Sequence, residues 1–134
     1  MIGQNAPTDP VDRFARELAD MRTRIAELER ARPAIVPWIA PTLAGTWVNF
    51  GGTLQIARYR KIGDIVYVEG FVKSGSIGTA VFVLPAGYRP TKDLPFAVHS
   101  NIAFGSLVVQ ADGSVIAQAG SNTSFGLNVS FSTT

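Results

Sequence analysis

The chain has 134 residues, 12 Lys and Arg against 10 Asp and Glu, one His and no Cys. Its length suits one modest domain plus an accessory element, and excludes two independent cores. Composition argues against a disulfide framework, a thiolate or zinc site around the lone His99, and a basic nucleic-acid stripe, the net charge being only +2. No run of 18 apolar residues predicts a membrane span, and no charged-then-apolar start predicts a signal peptide.

Residues 1–9 are small and polar and read as a tail or docking peptide that orders on a larger partner. A helix then starts cleanly. Asp9 stands where an N-cap belongs, Pro10 in the first turn, and Asp12 at the third position, near free N–H groups. Arg30 and Arg32 complement the last carbonyls, and Pro33 stops the helix. These signals predict a helix from Pro10 to Ala31, about 33 Å long, inside a stalk segment 10–32.

Along it runs a heptad seam: Val11, Phe14, Leu18, Met21, Ile25 and Leu28. With two apolar residues per heptad the stripe is too narrow for packing on a globular core and predicts oligomerisation through these six side chains. With Val11 at position a, Glu17 and Arg22 form a g-to-e pair, as do Arg24 and Glu29. Both are opposite in sign, which favours parallel, in-register copies. The core residue types do not choose between two and three strands.

Charge is unevenly spread. Twelve of the 22 charged residues lie between Asp9 and Arg32, and after Asp93 only Asp112 is charged. A neutral stretch of that kind, rich in Ser, Asn, Gly and Val, suits burial between subunits or a hydroxyl- and amide-rich binding face. Before it, residues 33–45 form a Pro-rich linker, stiffened by Pro33, Pro37 and Pro41. Its Ile35, Val36, Trp38, Ile39 and Leu43 predict that it lies against the base of the head.

From Thr46 to the end, residues 46–134, the pattern is β. Turn signals separate runs of β-branched and aromatic residues, predicting an antiparallel sandwich or barrel. The expected strands are 47–50, 54–62, 65–73, 79–84, 96–100, 102–110, 114–119 and 125–132. In the last, Phe125, Leu127, Val129 and Phe131 share one face. Asp112-Gly113 fits a two-residue hairpin turn. Gly63-Asp64 fits another, which sets Ile62 opposite Ile65 and Arg58 opposite Glu69.

Two segments carry a resemblance. Tyr59-Arg60-Lys61-Ile62-Gly63-Asp64-Ile65-Val66-Tyr67-Val68-Glu69-Gly70 and Leu84-Pro85-Ala86-Gly87-Tyr88-Arg89-Pro90, followed by the late Asp112-Gly113 hairpin, resemble the head domain of phage tail-fibre, minor-tail and receptor-binding proteins. The resemblance spans about Trp47 to Phe131. It implies a mainly β, jelly-roll-like sandwich head that forms homotrimers on a parallel coiled-coil stalk, borne on a virion. Physically, Pro85 is expected at the first corner of a turn closed by Gly87, with Pro90 holding Arg89 extended and Tyr88 folded back beneath.

No catalytic constellation emerges. The head carboxylates Asp64, Glu69, Asp93 and Asp112 each have a local explanation, no nucleophile-elbow motif accompanies His99, and no cofactor motif is present. The reading is therefore a non-enzymatic virion adhesin without metal or cofactor, binding a host-wall saccharide and docking to other virion proteins through its N-terminus. Trp38, Trp47, His99, Asn101 and Asn122 are the candidate ligand residues, because sugars are held by aromatic faces and amide or hydroxyl donors. The alternative is a non-adhesive head fibre, decoration or connector protein.

Overall fold

In a computed structural model of the protein, residues 9–31 and 35–134 are described. Residues 1–8 of the predicted tail 1–9, and the helix-ending Arg32 and Pro33, lie outside the described residues. The chain divides into two compact units, the second beginning at Val36.

The first unit holds α1 (Pro10–Ala31). Its cap is as the residues require: the Asp9 carboxylate accepts from the Val11 N–H at 2.9 Å, and the Asp9 carbonyl from the Arg13 N–H at 3.1 Å. At the other end the Arg30 guanidinium donates to the Ala26 carbonyl. No residue of α1 is buried, and the apolar seam is open, with Val11 73% and Leu28 71% exposed. No helix among the described residues is long and apolar enough to cross a membrane.

The second unit is mainly β, and every strand pairing is antiparallel. The strands are β1 (Val48–Asn49), β2 (Arg58–Ile62), β3 (Ile65–Glu69), β4 (Phe71–Lys73), β5 (Ala80–Val83), β6 (Leu94–Ser100), β7 (Ala103–Val109), β8 (Ser114–Ala119), β9 (Phe125–Gly126) and β10 (Val129–Ser132). They form sheets β10-β3-β2, β1-β4-β9 and β5-β8-β7-β6. In the last, β6, β7 and β8 are successive hairpin strands and β5 returns beside β8, a Greek-key arrangement.

Two expected strands are interrupted. The runs 65–73 and 125–132 each break in two at the same level, at Gly70 and at Leu127-Asn128. The register carries through the break, with Val68 opposite Val129 on one side and Val72 opposite Phe125 on the other. At the corner the Leu127 N–H donates to the Gly70 carbonyl, and the Gly70 N–H to the Asn128 side-chain oxygen at 3.0 Å. Gly70 has φ 131°, and a Cβ there would lie 2.5 Å from the Ala57 backbone. One paired ladder is thus bent into two sheets by a residue that only glycine can supply. The run 54–62 also shortens to β2, because the Ala57 N–H is taken by the Asn49 side chain at 2.8 Å rather than by a neighbouring strand.

The turns separate likewise. Gly63-Asp64 is the expected two-residue turn, with Ile62 opposite Ile65 and Arg58 opposite Glu69. The Asp112-Gly113 turn is one residue longer than expected. Gly113 donates to the Gln110 carbonyl, Gln110 donates to that of Ser114, and of the two only Gly113 has positive φ. This is a three-residue loop with a glycine bulge. The Asp112 carboxyl accepts from the Ser114 N–H at 2.9 Å, which holds its pKa below the usual carboxylate value.

One core joins the sheets, with Phe82, Leu84, Leu107, Phe125 and Leu127 wholly buried. Each contributes about 1.5–3 kcal/mol of burial. Tyr59 stacks on Phe82 at 6.1 Å, and burial followed by the neighbouring Tyr88 raises the Tyr59 pKa. The predicted linker is part of this unit from Val36 onward. Ile39 bridges Tyr59 in both directions, at 2.8 and 2.9 Å, and Leu43 packs on the core.

Candidate functional site

Strand alternation gives each large sheet an inner and an outer face, and the two outer faces differ in chemistry. On β10-β3-β2 the outer positions are Arg58, Arg60, Tyr67, Glu69 and Ser130, with Ile62, Ile65 and Ser132 towards the Gly63-Asp64 turn and Asn128 next in register at the bend. Trp38 lies on this face. The guanidinium carbons of Arg58 and Arg60 stand 4.4 and 4.2 Å from its ring centroid. Arg58 also donates to Glu69 at 2.7 Å. Arg60 reaches the Val36 carbonyl at 3.3 Å, but its buried Nε–H has no partner among the described residues. The result is an open polar groove of about 480 Å³, lined by Trp38, Arg60, Tyr67, Glu69, Asn128 and Ser130. It presents guanidinium, hydroxyl and amide groups around a fixed indole.

The outer face of β5-β8-β7-β6 carries no charged side chain among the described residues. Strand pairing puts Val83, Ile116, Val108, Ser106, Phe104, His99, Ala97 and Pro95 on it. At its end the β6–β7 hairpin turns through Asn101 (φ 48°) and Ile102 (φ 65°). Asparagine tolerates that left-handed conformation; isoleucine is β-branched and strained there by about 1–2 kcal/mol. Ile102 is nonetheless 93% exposed and Phe104 89%. Beneath them opens a cleft of about 450 Å³, lined by Phe71, His99, Ile102, Phe104, Gly126 and Asn128, with the His99 and Phe71 rings edge to face at 6.0 Å.

Neither a protein-family model nor a curated protein matches the chain. Among solved structures it is similar to the receptor binding protein (gp15) of Listeria phage PSA, with 22% identity and a TM-score of 0.67, over 90% of this chain and 78% of that one. The two chains share a fold. The resemblance carried by the Tyr59–Gly70 and Leu84–Pro90 segments agrees with it.

Within that fold the five residues expected to meet a ligand do not form one site. Trp38 sits in the polar groove and His99 in the apolar cleft. Asn101 occupies the hairpin turn between β6 and β7. Trp47 is a core residue, 3% exposed, edge to face with Phe125 and donating to the Thr79 hydroxyl at 3.1 Å. Gly75 is flush against its indole, where a Cβ would overlap the ring. Trp47 therefore offers no face to a ligand. Asn122 fastens a loop: its side-chain amide donates to the Gly75 carbonyl and its own carbonyl accepts from the Ser74 N–H, both at 2.9 Å.

The Leu-Pro-x-Gly-Tyr-Arg-Pro segment is structural as expected, with one correction. Tyr88 donates to the Pro85 carbonyl, so Pro85 opens the turn and Ala86, not Pro85, takes its first corner. Tyr88 packs edge to face on Tyr59 at 5.2 Å, and Arg89 donates to the Leu84 carbonyl at 2.8 Å. Arg60, Tyr67, Asn128 and Phe104 were not singled out from sequence. The readable signal was the period-2 run from Arg58 to Lys61 opposite Tyr67 and Glu69, which aligns their side chains on one face once the Gly63-Asp64 turn is placed.

Proposed function

We propose that the protein is a phage virion adhesin of the tail fibre or tail tip, whose head binds a host cell-surface saccharide. In this reading three parallel copies join through the α1 seam as a coiled-coil stalk, the heads form jelly-roll-like sandwiches, and the N-terminal segment docks to other virion proteins. The single observation that carries the reading is the fold shared with a phage receptor binding protein over 90% of the chain. The exposed heptad seam and its opposite-sign flanks support identical parallel partners. Three is the number the resemblance to tail-fibre heads implies.

The saccharide is assigned to the groove around Trp38. Arg60, Tyr67, Asn128 and Ser130 line it with donors suited to hydroxyl and ring oxygens, beside an indole held by two guanidinium groups. Catalysis is not proposed. The head carboxylates have other work: Glu69 pairs with Arg58, Asp93 accepts from the Ala111 N–H, Asp112 from the Ser114 N–H, and Asp64 contacts Thr134. Weak single sites multiplied by copy number would give avidity.

Whole-cell adsorption and a glycan array with the purified chain test this. Saturable binding that Trp38→Ala abolishes while the fold survives is the expected result. Absence of binding, combined with tight docking to capsids or tails, would assign the protein to decoration instead.

A further inference from the structure

The groove around Trp38 leaves the apolar cleft under Ile102 and Phe104 unused, yet both open on one bent ladder. Its outward positions run Tyr67, Glu69, Phe71 along β3 and β4, facing Ser130, Asn128, Gly126 along β10 and β9. The bend at Gly70 keeps this alternation in step, with Val68 opposite Val129 before it and Val72 opposite Phe125 after it. One outer face therefore crosses from groove to cleft over roughly 13 Å of strand, enough for more than one sugar ring. Asn128 lines both. We infer that the cleft is a second subsite for the same oligosaccharide, taking a neighbouring ring through a methyl substituent such as an acetamido or 6-deoxy unit carries. This rests on the saccharide reading proposed above.

Three observations select that chemistry. The first is the junction. The Asn128 side-chain oxygen accepts from the Gly70 N–H at 3.0 Å, while its amide N–H groups make no hydrogen bond among the described residues. They are placed to donate to a ligand lying across the bend. The second is the lining. No Asp, Glu, Lys or Arg lines the cleft, so it suits a neutral unit. The Phe71 and His99 rings meet edge to face at 6.0 Å, and Phe104 stands opposite His99 in the β6–β7 pairing. Gly126 opens the space between them, since a Cβ there would stand 2.9 Å from the His99 carbonyl and 3.2 Å from the Phe71 ring. Apolar faces with two polar groups, around a volume of about 450 Å³, make a small-ligand site. The third is the rim. Ile102 is held in the left-handed region and, like Phe104, is almost wholly exposed. Such strain collects at ligand sites, and a bound methyl group would cover apolar area that water now meets.

An array of bacterial surface glycans, probed with the full-length chain, tests this when it includes matched pairs. Chitotriose against cellotriose isolates the acetamido group, and 6-deoxyhexose against hexose oligomers of one linkage isolates the deoxy methyl. The expected result is a preference of about tenfold or more for the methyl-bearing member of one pair. Phe104→Ser should remove the preference while the other member binds as before, and Trp38→Ala should abolish binding of both. Circular dichroism and sedimentation check each variant. Equal binding within every pair, or a preference that survives Phe104→Ser, overturns the second subsite and leaves the groove standing. No binding to any printed saccharide overturns this inference, and a failure to adsorb to cells as well overturns the saccharide reading with it. A fall in sedimenting mass on Phe104→Ser would give the cleft rim to another copy and likewise overturn the subsite.

Discussion

The outer faces of β10-β3-β2 and β5-β8-β7-β6 are both pleated surfaces over one core, yet they differ in chemistry. The first holds arginines, an acid, a tyrosine and amide and hydroxyl groups around Trp38, with Ile62 and Ile65 only at its turn end. The second holds mostly valine, isoleucine, alanine and phenylalanine, with Ser106 and His99 among them and no Asp, Glu, Lys or Arg among the described residues. The core does not need this difference, because inner faces alone build it.

The largest expected effect erases the comparison. Gly70→Ala places a methyl group into the Ala57 backbone at the bend between the sheets. It should cost about 3 kcal/mol or more, read as a lower urea midpoint, and should damage both faces together. A near-neutral Gly70→Ala would show that the bend does not depend on that residue. Trp38→Ala should act on one face only. Losing two guanidinium–indole contacts should cost about 1–2 kcal/mol in chemical denaturation, with adsorption to cells lost and sedimentation unchanged. A change of assembly mass in that variant would mean that the polar face also holds copies together.

Smaller effects sharpen the picture. A double-mutant cycle on Arg58 and Glu69 should give a coupling of about 0.5 kcal/mol that shrinks at high salt, since both side chains are partly solvated. Smallest at neutral pH is Tyr59→Phe, which keeps the stack on Phe82. Burial raises the Tyr59 pKa above its ordinary 10.0, so the folded state holds this proton more tightly than the unfolded chain. The stability it contributes is complete below that ordinary value and is lost as pH rises through the folded one. Tyr59→Phe should therefore flatten the loss of stability above about pH 10 in thermal melts.

Legibility in the sequence followed the range of the interactions. The helix ends were readable because Asp9, Pro10 and Arg30 act within one turn. The β2–β3 register was readable because Gly63-Asp64 fixes the turn and Arg58 meets Glu69 in the fifth pair from it. The division of 65–73 and 125–132 was not, since alternation of side chains continues through Gly70 and only the third segment, at Ala57, imposes the bend. Trp38 and Trp47 look alike in composition; their fates depend on Arg58 and Arg60 for one, and on Phe125 and Thr79 for the other. The left-handed Ile102 ran against local preference and carried no sequence signal beyond the Asn101 before it.

The central claim is that copies of this chain assemble side by side through the open α1 seam. Multi-angle light scattering on the purified chain at micromolar concentration tests it most directly. The account predicts three chain masses, falling towards one when Leu18→Asp puts a charge into the seam. A stable single-chain mass for the unaltered protein would contradict it.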